Sequence, residues 1–168
     1  GMIPTYEKDL GKWAAPFVMA PINTKNVHRT NYLLGHPYGE DFQYDEMVLT
    51  SPGEAGKAAA NAMAEMMKNP FGAKPPKPGE GPTKEERENG FYDVLFVAEG
   101  PDGETLHLGV KGKYDPGYGS TSRMLAETGI ALLSCEAEGG IGTPGSFLGE
   151  ALVERLQEHA EISFELEG

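Results

Sequence analysis

The sequence predicts an α+β fold, a mostly antiparallel mixed sheet with helices packed mainly on one face. Strand patterns occur as a hairpin and singly, helical patterns lie between them, and there is no internal repeat. The 168 residues are 39% hydrophobic and 24% charged, which is ordinary for one globular domain. We therefore expect a flexible polar segment at 1–12 and a single domain at 13–168.

The first half of the chain contains two helical patterns and one strand pattern. A helix is predicted over 21–34, with Pro in its first turn and Gly directly after it. Alternating apolar and polar side chains predict a strand at 41–50. The string Ser51-Pro-Gly-Glu54 has the spacing of a capping box, and it should begin a helix rich in Ala and Met over 52–68.

Residues 69–90 are too rich in Pro and Gly for regular structure at their start. A second capping box at Thr83–Glu86 should open one or two helical turns that end at Asn89-Gly90. Long loops in compact domains are usually functional or disordered. A shaped lid or interface arm and a disordered loop both remain open for this segment.

The second half contains the clearest pattern, a β-hairpin. Alternating residues predict strands at 91–99 and 104–113, joined by a Pro-Asp-Gly turn. Apolar residues at three- and four-residue spacing predict a helix ending near Cys135, and another over 146–159. A last strand is predicted at 162–166.

The turn Asp115–Arg123 is the candidate binding element. Positive φ at Gly117 and Gly119 would let N–H groups converge on an anion. The hydroxyl run after them could cap the following helix and face a ligand, although the same residues also suit a purely geometric connection. The candidate substrate- or anion-binding residues, none of them assigned as a catalytic acid or base, are Arg29, Tyr118, Ser120, Thr121, Ser122 and Arg123, with Asn23 a weaker candidate.

The composition argues against several classes of partner and site. The net charge of -12 disfavours nucleic acid and anionic membranes, and no run of about 18 apolar residues predicts a membrane span. The N-terminus does not resemble a signal peptide, so we expect a cytoplasmic location. The single cysteine excludes an internal disulfide, and the four histidines share no metal-ligand spacing, so no metal site is predicted.

Residues 140–145 match the G-x-G-x-x-G pattern of dinucleotide sites, but we do not interpret them as one. The pattern must directly follow a strand, and here a helical pattern precedes it. Glu136 and Glu138 would repel a pyrophosphate, and Pro144 lacks an N–H donor. We therefore predict no cofactor site in this chain.

A set of short motifs, taken together and in order, resembles the saccharopine dehydrogenase-like oxidoreductases, among them the branch called trans-acting enoyl reductases. The similarity extends over about residues 12–166. The motifs are Ala15–Ala20, Asn23-Thr24, Arg29–Asn31, Leu34-Gly35, Tyr38-Gly39, Pro76–Pro82, Glu88–Phe91, Asp115–Gly119, Gly139-Gly140 and Thr143-Pro144.

The resemblance is to the C-terminal domain of that family, which implies an α+β domain with substrate and dimer contacts. It implies a homodimer and an NAD(P)-binding Rossmann domain, in the same gene or in a separate chain. Because the cofactor supplies the hydride, we expect this chain alone to be inactive. The alternative is a stand-alone homodimeric interaction module, in which the helix at 52–68 and the sheet form the dimer and the turn at 115–123 is only structural.

Overall fold

The computed structural model describes residues 3–68 and 77–167, and the chain divides into two compact units, Gly1–Pro78 and Gly79–Gly168. The α+β class is confirmed, with 40% of the described residues in helix and 22% in strand. Among the described residues, each unit has one three-stranded antiparallel sheet, so two separate sheets replace the single mixed sheet that we expected. The single domain at 13–168 stays a prediction. Residues 69–76 of the predicted loop lie outside the described residues.

Unit Gly1–Pro78 is built on small buried side chains. Ala14, Ala15 and Ala60 are fully buried, so the second helix lies close to the central strand. The first strand falls within the segment at 1–12, whose flexibility stays a prediction. In chain order, the elements are β1 (Thr5–Glu7), β2 (Lys12–Pro16), α1 (Ala20–Leu33), β3 (Met47–Leu49) and α2 (Gly53–Met66), and the strand order is β1-β2-β3.

The predicted strand at 41–50 is wrong over most of its length, because only β3 forms. Its earlier side chains bind other groups instead of alternating across a sheet. The Tyr44 hydroxyl and the Asn23 amide donate to the two carboxylate oxygens of Glu46, at 2.8 and 2.9 Å. The Phe42 ring lies 5.6 Å from the ring of His28 on α1.

The predicted capping box at Ser51–Glu54 is also wrong. Pro52 is the N-cap residue of α2, and none of the described side chains caps this helix. Ser51 instead packs through its main chain, since a Cβ built on Gly56 would lie 1.5 Å from the Ser51 carbonyl oxygen. Gly56 therefore allows the Ser51 carbonyl to lie close to α2, and the Ser51 side chain does not cap the helix.

Unit Gly79–Gly168 contains the predicted hairpin and the last strand, and both are confirmed. The capping box at Thr83 and Glu86 is confirmed as well. In chain order, the elements are α3 (Lys84–Asn89), β4 (Phe91–Glu99), β5 (Thr105–Lys113), α4 (Gly119–Leu132), α5 (Pro144–Leu148), α6 (Glu150–His159) and β6 (Ile162–Glu167), and the strand order is β4-β5-β6.

The core of this unit lies between α6 and one face of the sheet. Leu156 of α6 and Ala160, the residue directly after it, are buried in one cluster with Ile162, and Val110 and Phe164 of the sheet pack against this cluster. The helix predicted over 146–159 is two helices, because the backbone breaks at Gly149 with a φ of 52°. Met124 of α4 also packs against the core that α6 covers.

Candidate functional site

The carboxylate of Asp115 fixes the turn that leads into α4. Its Oδ1 accepts the N–H groups of Gly117 and Tyr118, both at 3.0 Å, and its Oδ2 accepts the N–H of Gly119 at 2.5 Å. No side chain from the hydroxyl run caps α4, whose N-cap residue is Tyr118. The N–H groups that we expected to converge on an external anion therefore bind a carboxylate of the same chain.

Several effects act on the acidity of Asp115. Desolvation raises its pKa, but the N–H groups of Gly119, Tyr118 and Gly117 lower it, and so does the nearby charge of Arg87. The lowering effects outweigh desolvation, so the pKa of Asp115 lies below its ordinary value. Asp115 is therefore a permanent anion at neutral pH.

Gly119 is required for close approach, not for an unusual backbone angle. Positive φ occurs at neither Gly117 nor Gly119, contrary to our expectation; Tyr114 adopts it instead, at 71°. A Cβ on Gly119 would lie 2.8 Å from both Asp115 Oδ2 and Tyr114 Cβ, closer than such atoms approach. Only glycine fits between the start of α4 and the turn.

The three predicted hydroxyls all bind groups of the protein itself. Ser120 is fully buried, and its hydroxyl lies 3.0 Å from that of Tyr92. Thr121 donates to the carbonyl of Pro116 at 2.6 Å, and Ser122 donates to the carbonyl of Gly119 at 3.1 Å. Their contacts are those of a helix start.

The guanidinium of Arg123 makes two contacts, one with Gly119 and one with Tyr114. Its Nη1 donates to the carbonyl of Gly119 at 3.0 Å. Its guanidinium carbon lies 3.6 Å from the centre of the Tyr114 ring, a cation–π contact. The Tyr114 hydroxyl in turn donates to Oε1 of Glu161 at 2.6 Å.

Glu161 joins these groups to the end of β5. Its Oε2 accepts Lys113 Nζ at 2.6 Å. Its hydrogen bonds from Lys113 and Tyr114 hold its pKa below the ordinary value, and the bonds to Glu161 raise the pKa of both partners. Like Tyr114, Glu161 has a positive φ, here 55°. Two strained residues thus face each other beside Arg123.

A cavity of about 810 Å³ opens at this turn. Tyr118, whose side chain is 58% exposed, forms one wall with Gly81, where an added Cβ would lie 3.6 Å from the tyrosine ring. The lining residues are Gly79–Pro82, Lys84, Arg87, Glu88, Tyr114, Tyr118, Gly119, Ser122 and Arg123.

The structure brings three of the predicted residues together at this cavity, namely Tyr118, Ser122 and Arg123. Arg29 is an exposed residue of α1, in the other unit. The ligand-binding role of the six residues stays a prediction.

Arg87 is one of the lining residues that were not predicted as site residues from the sequence. Its Nη1 donates to the carbonyl of Pro82 at 2.7 Å, and its own carbonyl accepts the N–H of Asp115 at 3.0 Å. The charge pattern of α3 is that of an ordinary short helix, with acidic residues first and a basic one last. No local signal therefore distinguished Arg87.

The glycine-rich segment at 140–145 does not fit a dinucleotide. It is followed by the short helix α5, whose N-cap Thr143 exchanges hydrogen bonds with Ser146 in a capping box. An added Cβ on Gly142 would lie 2.5 Å from the Phe147 ring, so this glycine packs against the protein. Among the described residues both sheets are antiparallel, whereas a dinucleotide fold needs parallel strands.

Two further kinds of site are not found in the part of the chain that the structure describes. No group of three or more His, Cys, Asp or Glu side chains there could hold a metal ion. No helix there has both the length and the apolar character needed to cross a membrane.

The chain is similar to mycobacterial proteins named as trans-acting enoyl reductases. A Mycobacterium tuberculosis protein provisionally given that name is 34% identical over 165 residues, and trans-acting enoyl reductases from Mycobacterium bovis and Mycobacterium ulcerans are 30% and 29% identical over 165 residues. Each comparison covers 87% of this chain but 39% of the relative, so the chain spans about two fifths of their length. No family model matches the chain, and no solved structure matches it.

Substitution of Gly119 tests the close approach at the turn. We expect Gly119→Ala to lower the free energy of unfolding by roughly 1–3 kcal/mol, because its methyl group overlaps Asp115 and Tyr114. Gly129→Ala is the matched control in α4, since nothing beyond the backbone of the same helix lies within 4 Å of its Cβ position. There we expect a gain of about 0.5–1 kcal/mol. Urea unfolding measures the change in the free energy of unfolding for both variants. Equal changes in Gly119→Ala and Gly129→Ala would contradict the close packing at Gly119.

Glu161→Gln tests the ionic network through pH. Because the pKa of Glu161 is lowered in the folded protein, its ionised carboxylate stabilises the fold above its ordinary pKa of about 4.5. This stabilisation is lost as the pH falls through the pKa of the folded state. The pKa values of Tyr114 and Lys113 are raised in the folded protein, so their protonated forms stabilise the fold below their ordinary pKa values of about 10.0 and 10.5. This stabilisation is lost as the pH rises through the pKa values of the folded state. The difference in Tm between wild type and Glu161→Gln should therefore be largest near neutrality and shrink at both ends.

Glu165→Gln is the control for this pH series, because it removes a carboxylate from β6 outside the network. Its Tm difference from wild type should not show the same two-sided profile. A flat profile for Glu161→Gln would disprove the role of the network.

Proposed function

We propose that this chain supplies the substrate-binding and dimerisation part of an NAD(P)-dependent reductase of the saccharopine dehydrogenase-like type. The observation that carries the proposal is the similarity to trans-acting enoyl reductases, which covers 87% of this chain but 39% of the relatives. The nicotinamide domain is then to be sought outside these 168 residues, in the same gene or in a separate chain.

The cavity beside α4 is the proposed substrate site. It combines an exposed aromatic ring, Tyr118, with the guanidinium of Arg123 and the hydroxyl of Ser122. An enoyl group, the one that the relatives' names print, is an unsaturated acyl chain, and a tyrosine ring offers it an apolar surface. We assign no catalytic acid or base to these residues.

Cofactor assays test the absence of activity that we propose for the isolated chain. With NADH or NADPH and a neutral short enoyl thioester, we expect no loss of nicotinamide absorbance, because the described residues lack a parallel βαβ unit. We also expect NAD(P) to leave the Tm unchanged. A bound ligand at a hundredfold excess over its Kd would add about 2.7 kcal/mol, which is easily detected.

The same thioester provides the positive arm of this test. It should raise the Tm of the wild type but not of Tyr118→Ala, whereas Tyr6→Ala, an exposed tyrosine of β1, should behave as wild type. Oxidation of NAD(P)H by the isolated chain would overturn the proposal that it is inactive alone. Equal thioester binding by Tyr118→Ala would remove the cavity from the site.

A second candidate function is a homodimeric interaction module, and the surface of α2 favours it. Met66 and Met63 are 71% and 38% exposed, although apolar residues of that size are commonly buried. An adaptable methionine surface on a helix is a common form of protein-binding site. In this candidate, the turn at 115–123 has only a structural role.

Sizing experiments test the interaction module. The double change Met63→Glu and Met66→Glu should convert a dimer to a monomer, because two charges would be buried in the interface. Asn61→Glu, an exposed position of the same helix, should leave the dimer intact. A chain that is monomeric at all concentrations would exclude both this candidate and the proposed dimerisation.

A further inference from the structure

We propose that the cavity beside α4 binds an oxyanion, a phosphate monoester or a carboxylate, between the guanidinium groups of Arg87 and Arg123. This inference deepens the proposed function, since the oxyanion would be part of the substrate or of its carrier. It names a ligand class and a residue, Arg87, that the sequence pattern did not indicate.

The guanidinium of Arg123 is bonded to the turn, whereas Arg87 is joined to the turn through its main chain. The Arg87 carbonyl accepts the N–H of Asp115, and Arg123 Nη1 donates to the carbonyl of Gly119, each at 3.0 Å. The Nη1 of Arg87 is further held by the carbonyl of Pro82 at 2.7 Å. Among the described residues each guanidinium thus donates one hydrogen bond, which leaves most of its N–H donors for a ligand.

The charges of the cavity wall favour an anion although the whole protein is acidic. The chain carries -12, but the wall has three cations, Lys84, Arg87 and Arg123, against two carboxylates, Glu80 and Glu88. Lys84 pairs with Glu88 at 3.6 Å. The lining side chains by themselves therefore carry one more positive than negative charge, and cations that line a concave site attract anions, in contrast to the protein as a whole.

The carboxylates behind the wall are already bound by the protein. Asp115 lies near Arg87, but its oxygens accept three backbone N–H groups. Glu161 lies near Arg123, but it is bonded to Lys113 and Tyr114. Neither carboxylate therefore forms a hydrogen-bonded ion pair with a guanidinium among the described residues.

The arrangement also determines how an anion must be recognised. Because Asp115 occupies the N–H groups at the start of α4, a ligand cannot use them and must bind to side chains. A guanidinium binds an oxyanion through two parallel hydrogen bonds, which a lysine cannot do. The exposed ring of Tyr118 lies on the same cavity and can contact an organic group that carries the anion.

The test titrates the full chain at low ionic strength with phenyl phosphate and benzoate, with sodium chloride as a control for screening. In the wild type we expect saturable shifts of the arginine Nε–Hε NMR signals. Arg87→Gln and Arg123→Gln should each weaken binding at least about tenfold, since each removes one charge-assisted contact. Lys25→Gln removes a positive charge from α1, in the other unit, and should bind as wild type.

The outcomes separate this inference from the proposed function. Binding of either organic anion, lost in both arginine variants, supports the inference, and the one that binds identifies phosphate or carboxylate as the source. Arg87→Lys and Arg123→Lys, which keep the charge, guard against unfolding and should still bind less well than wild type. Absence of saturable shifts, or equal binding by all variants, overturns the inference, while binding of the neutral thioester still tests the proposed function separately.

Discussion

The unit that holds the cavity depends on the carboxylate of Asp115, which accepts the free N–H groups at the start of α4. Asp115 accepts three successive N–H groups at the start of α4, and its own N–H is held by the carbonyl of Arg87 on α3. Asp115, two residues after β5, therefore joins the start of α4 through its side chain and α3 through its main chain. Gly119 completes this junction because any larger residue would push the carboxylate away.

The strained backbone beside this junction follows from the same constraint. Tyr114 leaves β5 with a positive φ, so its ring turns under Arg123 and its hydroxyl reaches Glu161. Glu161 is also left-handed, and it binds Lys113 as well. A residue other than glycine costs free energy when its φ is positive, and it keeps that conformation only where surrounding contacts fix it. Here those contacts end at a guanidinium that lines the cavity.

The sequence predicted the parts of this fold that depend on neighbouring residues. The hairpin formed as its alternation indicated, and the capping box at Thr83 formed as its spacing indicated. The same spacing failed at Ser51, whose carbonyl lies against Gly56 and whose neighbour Thr50 is bonded to the distant Trp13 carbonyl of β2. Arg87 was missed for a related reason: its link to the turn is a main-chain hydrogen bond to Asp115, which no residue type or period records.

Two glycine-containing segments, at 115–123 and 140–145, have sequence patterns that occur at anion sites. In the structure both segments bind other groups of the protein itself. At 140–145 Gly142 packs against the Phe147 ring, and Thr143 and Ser146 form the capping box of the helix that follows. At 115–119 the chain supplies its own anion. Backbone N–H groups are strong donors, and a chain that satisfies them internally gains stability whether or not a ligand is bound. Recognition at this cavity is thereby left to side chains, so its specificity would depend on the geometry of two guanidinium groups and one exposed tyrosine ring.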